Sequence, residues 1–134
     1  MSQIGNIVIN DGKATPVAHT FNPVQSSPIA IYREALSTLP LIGNAVIELR
    51  PSMQGDLNKV KIVLAVPVLE TQTGANAQGY TAAPKVAYVN KVNMEFFLPS
   101  RGTGDQRKDL RVLASNLLKD AQIVDLIDNI NVPY

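Results

Sequence analysis

The sequence predicts an α+β fold: an N-terminal β-hairpin, an antiparallel sheet of about five strands, and two C-terminal helices. In the first two-thirds of the chain Pro, Gly, Asn or Asp recurs about every 8 to 15 residues with β-branched runs between them, the spacing of short antiparallel strands. After Gly104 the apolar period changes from two to about 3.6, the period of a helix face. The 134 residues, 46% apolar, suit one domain, divided into hairpin 1–22, sheet 29–98 and helices 105–134.

Ile4 to Ile9, Asn10-Asp11-Gly12-Lys13 and Ala14 to Phe21 form the predicted hairpin, because Asp-Gly supplies the positive φ angles of a tight turn. Asn22-Pro23 ends it. Ile29 to Leu36 reads as a strand with some helical character, closed by Leu39-Pro40 and Gly43-Asn44. From Asn44 to Arg50, Ala45, Ile47 and Leu49 share one face, and Asn44, Val46, Glu48 and Arg50 share the other. From Lys59 to Val66, the same alternation sends Val60, Ile62, Leu64 and Val66 to the core and Lys59 and Lys61 outward. Met53 to Asp56 supplies the turn between these strands. Thr71 to Ala83, small, polar and uncharged, is predicted to be a mobile loop. Lys85 to Phe97 alternates again, with Val86, Tyr88, Val92, Met94 and Phe96 opposite Lys85, Lys91, Asn93 and Glu95. This longest strand is expected at the centre of the sheet.

A helix is predicted from about Asp105 to Lys119, with Leu110, Leu113, Ala114, Leu117, Leu118 and Ala121 as its apolar stripe. Thr103 or Asp105 is placed to cap its start, and Lys119 suits its last turn. A second helix, Ile123 to Ile130, is stopped by Asn131-Val132-Pro133. An all-strand part followed by an all-helix part fits helices lying on their own sheet and equally fits helices reaching across to a second subunit.

The charge balance, 12 Lys and Arg against 11 Asp and Glu, leaves +1, so an anionic partner must be met by a local cluster. The absence of cysteine excludes thiolate zinc sites, thiol nucleophiles and disulfides. No apolar run approaches the ~20 residues of a membrane span. The start Met1 to Asn6 has neither basic nor apolar signal regions, so a soluble, unprocessed chain is expected. The single His19 has no nucleophile, base and orienting set around it in sequence and reads as structural. Gly102-Thr103-Gly104 lacks the Lys-Ser/Thr pair of a phosphate cradle and reads as a helix entry. No catalytic activity, cofactor or metal site is expected.

One sheet face gathers Arg50, Lys59, Lys61, Lys85 and Lys91, with Asn44 and Asn93 beside them: cations for phosphates and amides for base edges. Glu48 and Glu95 dilute the patch, and Phe97 is the aromatic that parity places there. A solvated sheet face has the same pattern, so residue parity leaves both readings open.

A longer series of motifs bears on the choice. Val66-Pro67-Val68 with Thr71-Gln72-Thr73-Gly74, then Tyr88 to Glu95, then Leu117-Leu118-Lys119-Asp120 and the closing Pro133-Tyr134, in this order, resemble the coat proteins of single-stranded RNA bacteriophages, the levivirus family. Asp11 to Pro16 with His19-Thr20-Phe21 resembles one branch of that family. The resemblance implies a capsid subunit that forms an interlocked homodimer, with two sheets joined edge to edge and each subunit's helices over its partner. Such dimers assemble in the bacterial host cytoplasm into an icosahedral T=3 virion shell whose sheets face the packaged RNA. One dimer also grips an RNA hairpin at the replicase start and represses translation. The loop at Thr71 to Ala83 corresponds to the connection that packs around fivefold and quasi-sixfold axes, and Gly74 and Gly79 suit two backbone paths. The family's RNA-contacting positions fall on Asn44, Val46, Glu48, Arg50, Lys59, Lys61, Val63, Lys91 and Asn93. Val46 and Glu48 stand where relatives line an adenine pocket with hydroxyls, Val63 stands for a family lysine, and Lys91 for a stacking tyrosine. A non-viral RNA-binding module of α+β type is the alternative.

Overall fold

The computed structural model describes residues 3–71, 79 and 82–134. Six strands, β1 (Ile7–Asn10), β2 (Ala18–Gln25), β3 (Ala30–Glu34), β4 (Val46–Gln54), β5 (Leu57–Leu69) and β6 (Val86–Pro99), precede helices α1 (Gly104–Leu117) and α2 (Ala121–Asn129). The strands form one antiparallel meander in chain order. The expected hairpin and sheet are therefore continuous, since β2 pairs with β3.

The first connection differs from expectation. Asn10 pairs with Ala18, so the loop is 11–17 rather than a tight Asp-Gly turn, and Gly12 is not among the residues with positive φ. Asp11 N donates to Val17 O at 3.0 Å to close the loop, and the Asp11 carboxylate adds to it by accepting from Lys13 N at 3.2 Å and Val17 N at 3.0 Å. Strand β2 also runs past Asn22-Pro23: Pro23 faces Tyr32, and a bulge before Gln25 accommodates a residue that donates no ladder bond. The β4–β5 turn is as predicted, with Gly55 at φ 59° in a two-residue connection between Gln54 and Leu57.

The apolar parity holds through β4, β5 and β6. Ile47 lies opposite Leu64, Leu49 opposite Ile62, and Leu64 opposite Val92. Phe21, Tyr32, Ala45 and Ile47 form the buried core, with Ile7, Ala30, Leu49 and Leu64 packed around them. A short 3-10 turn at Leu41–Gly43 sits against the end of β5, so close that a Cβ on Gly43 would come within 2.9 Å of Leu69 Cδ1.

The other end of the sheet has no such cover. Strand β6 is the longest, as expected, yet it stands at the sheet edge of this chain rather than at its centre. Helix α1 starts at a capping box, with Thr103 Oγ1 accepting from Gln106 N and Gln106 Oε1 accepting from Thr103 N. Asp120 caps α2 by accepting from Gln122 N at 2.9 Å. Neither helix buries a residue: Leu113 is 66% and Leu117 58% exposed. An open groove of about 550 Å³ separates Val60, Ile62, Met94 and Phe96 of the sheet from Arg111 and Ala114 of α1 and Leu118 just after it. No described helix is long and apolar enough to cross a membrane. Most of the expected loop 71–83, Gly74 included, lies outside the described residues.

Candidate nucleic-acid interface

Directly paired residues of an antiparallel sheet share a face. On the face opposite the groove, the pairing aligns Asn22, Arg33, Val46, Ala65 and Lys91 in one row across the strands. The next rows are Ile31, Glu48, Val63 and Asn93, then Arg50, Lys61 and Glu95, then Ser52, Lys59 and Phe97. In these rows five cations (Arg33, Arg50, Lys59, Lys61 and Lys91) meet two carboxylates (Glu48 and Glu95), so a chain of net charge +1 concentrates positive charge here.

The carboxylates are engaged by their neighbours. Glu48 Oε2 accepts from Arg50 Nε at 2.9 Å and from Arg50 Nη2. Glu95 Oε1 lies 3.5 Å from Lys59 Nζ and 3.8 Å from Lys61 Nζ, and Lys59 Nζ stands 5.4 Å from the centre of the Phe97 ring. These pairs are partly exposed and worth little as fixed bridges.

The structure brings Val46, Glu48, Arg50, Lys59, Lys61, Val63, Lys91 and Asn93 onto this one face. Val63 is enclosed there at 6% exposure, because β5 is flanked on both sides and its short side chain lies between Glu48 and Asn93. Asn44 does not join them. It precedes β4 and is 5% exposed, its Oδ1 accepts from Leu36 N at 3.1 Å, and its amide donates to Pro40 O. The side chain that parity assigns to the surface closes a loop instead. Lys85 lies before β6 and pairs with Glu70 at 3.7 Å, away from the central rows. Arg33 escapes the sequence reading because Ile29 to Leu36 mixes strand and helix signals; the β3–β4 register reveals it.

His19 belongs to the opposite face, in the row of Ile9, and serves a structural role. Its Nδ1 lies 2.6 Å from Glu34 Oε1 and its Nε2 3.1 Å from Asp11 Oδ2. Asp11 and Glu34 hold the imidazole above its ordinary pKa. Asp11, accepting from Val17 N and then from His19, is held well below the usual carboxylate range. The trio ties the 11–17 loop to β3. Among the described residues no three His, Asp or Glu are placed to hold a metal ion.

Comparison with known proteins follows the same lines. The family model described as levivirus coat protein matches residues 2–134. The chain is similar to the virus-like particle of bacteriophage ESE058, at 30% identity and TM-score 0.90, covering 99% of this chain and 100% of that one. It is similar also to the virus-like particle of bacteriophage NT-214, at 28% identity and TM-score 0.87 over 99% and 100% of the two chains. The capsid protein of bacteriophage GA shares the fold at TM-score 0.75 and 19% identity over 95% of each chain. Comparison with curated proteins found no match.

Proposed function

The chain belongs to the levivirus coat protein family, and from that premise we propose that its cationic sheet face lines the interior of a shell and binds the RNA packaged there. The protein is a structural, non-enzymatic component of the virion capsid, which is assembled from coat subunits. This sets aside the non-viral binding module. The observation that carries the RNA reading is the segregation of the two faces, with cations on one and the apolar groove and helices on the other.

The subunit works as an interlocked homodimer. Among the described residues no strand pairs with the outer side of the 14-residue β6, which leaves that edge a template for another strand. Antiparallel union of two β6 edges turns both into central strands and carries α1 and α2 across to the partner's uncovered apolar face. The exposed Leu113 and Leu117 support this reading, since a monomer gains nothing by presenting them to water. Dimers then build an icosahedral shell in the host cytoplasm. Repression of replicase translation through an RNA hairpin belongs to the same face. Val46 and Val63 offer a base no hydrogen bond, so recognition falls to Arg50, Lys91 and Asn93.

Negative-stain microscopy of the protein expressed in bacteria should show closed particles containing RNA, and light scattering after disassembly should give a dimer mass at micromolar concentration. A stable monomer overturns the interlock. RNA-free shells overturn the lining role. Replacing Lys59 and Lys61 with Ala should weaken binding to all RNA sequences alike and lower the log–log salt slope by about 1.4, at ~0.7 per phosphate contact on a single strand. Loss confined to a single hairpin contradicts the phosphate assignment.

A further inference from the structure

We infer that Phe97 is a stacking platform for an unpaired RNA base, with Lys59 meeting the adjacent phosphate; this rests on the reading of the cationic face as an RNA surface. Aromatic residues are scarce in this chain, which has three Phe, four Tyr and no Trp. Phe21 and Tyr32 are in the core, and Phe96 lines the apolar groove on the other face. Tyr88 shares the parity of Phe96. Among the described strand residues, Phe97 is thus the aromatic of the cationic face, and it is 53% exposed. A half-exposed apolar ring in a row with Lys59 and Ser52, beside Lys61, has the two components of single-strand recognition: a π surface and cations spaced along it.

The surroundings leave room for a flat guest. Phe97 also borders two open grooves on the helix side, one of about 420 Å³ lined by Arg101, Arg107 and Leu110 among others, and one lined by Leu110, Ala114 and Leu117, so cations and apolar helix residues both stand beside the ring. Pairing of the β6 edge with a second copy consumes backbone groups and leaves the odd-numbered side chains on the face they already occupy. Lys59 Nζ, 5.4 Å from the ring centroid, occupies that surface without RNA. An exposed cation–π contact is worth roughly 2- to 5-fold in an equilibrium, against ~5- to 150-fold for a base stacked on an aromatic ring. A base therefore displaces the ammonium, which swings on its flexible stem to the phosphate beside it.

The test uses RNA-free protein and two single-stranded RNA oligomers of equal length, one complete and one abasic at its central positions, with affinity read by fluorescence anisotropy across a salt series. The complete oligomer should bind at least about 5-fold tighter than the abasic one. Phe97→Leu should erase that difference without changing the salt slope, while Phe97→Trp should preserve it. Because the chain has no tryptophan of its own, indole emission from the Phe97→Trp variant reports on this position alone. The complete oligomer should quench that emission and the abasic one should not. Equal, salt-dependent binding of both oligomers by the unmodified protein, or discrimination retained in Phe97→Leu, overturns the inference and leaves the RNA surface standing. Indole emission that is blue-shifted before RNA is added, and unmoved by it, places the side chain under a partner subunit and likewise overturns the inference. Failure of either oligomer to bind at low salt defeats the RNA reading itself.

Discussion

The two ends of this chain solve burial in different ways. The part built on β1 to β4 encloses Phe21, Tyr32, Ala45 and Ile47 and satisfies its polar groups internally, with Asn44 and Glu34 each 5% exposed and each hydrogen-bonded. The part built on β6, α1 and α2 buries none of its helical apolar stripe and leaves a groove open beneath it. The contrast separates the part that buries its own apolar residues from the part that the proposed dimer would complete. An amphipathic helix is stable mainly through the surface that covers its apolar face. On the proposed interlock, the cover for these helices is a second copy of the chain.

The largest expected effect breaks the contrast at its open end. Introducing Leu113→Asp together with Leu117→Asp should abolish dimers and shells, measured by light scattering and microscopy, because two charges would enter the interface that replaces exposed leucines. Retained assembly would mean that the stripe faces solvent in the particle. Next comes the closed end. Phe21→Ala should cost about 3–5 kcal/mol in urea unfolding, the range for deleting a buried aromatic side chain. A loss under about 1 kcal/mol would show that this core does not anchor the subunit.

A smaller effect sharpens the comparison through pH. His19→Ala leaves the nearly buried Glu34 without its imidazole partner and should cost about 1–3 kcal/mol. The folded state raises the His19 pKa, so the clamp's contribution is fully present below about pH 6.5 and is lost as pH rises through the folded-state value. Asp11 is shifted down, so its contribution is present above about pH 3.8 and is lost as the solution becomes more acidic. Thermal melts of the unmodified protein should therefore lose stability on the alkaline side, and His19→Ala should flatten that limb. An unchanged limb would remove the clamp from the account. The smallest effect is Thr103→Ala, expected to cost about 1 kcal/mol through loss of the capping box and visible as fraying of α1 by hydrogen exchange.

Much of this is legible in the residues. Alternation across β4 and β5 identifies which residues share a face, although Val66 of the expected inward set is exposed and Val63 of the outward set is buried; Gly55 marks the turn between the strands, and the period change locates α1 with Thr103 before it. The failures share a cause: each involves a side chain whose place is decided by a backbone group or strand distant in sequence. Asp11 reads locally as a turn residue, but Val17 and His19 draw its carboxylate into a longer loop. Asn44 reads as a surface residue by parity alone, but the backbone of Leu36 claims it. Arg33 joins the cationic surface only through its register with Val46.

The sequence by itself determined the division into strands and helices and the separation of apolar from cationic faces, because both follow from periods of two and 3.6 that any local window exposes. Tertiary structure alone decided which cations share a surface, which polar side chains are consumed internally, and that the longest strand ends the sheet of a single chain. Those outcomes depend on pairing between segments far apart in the chain, and on free edges and faces that a linear pattern does not display.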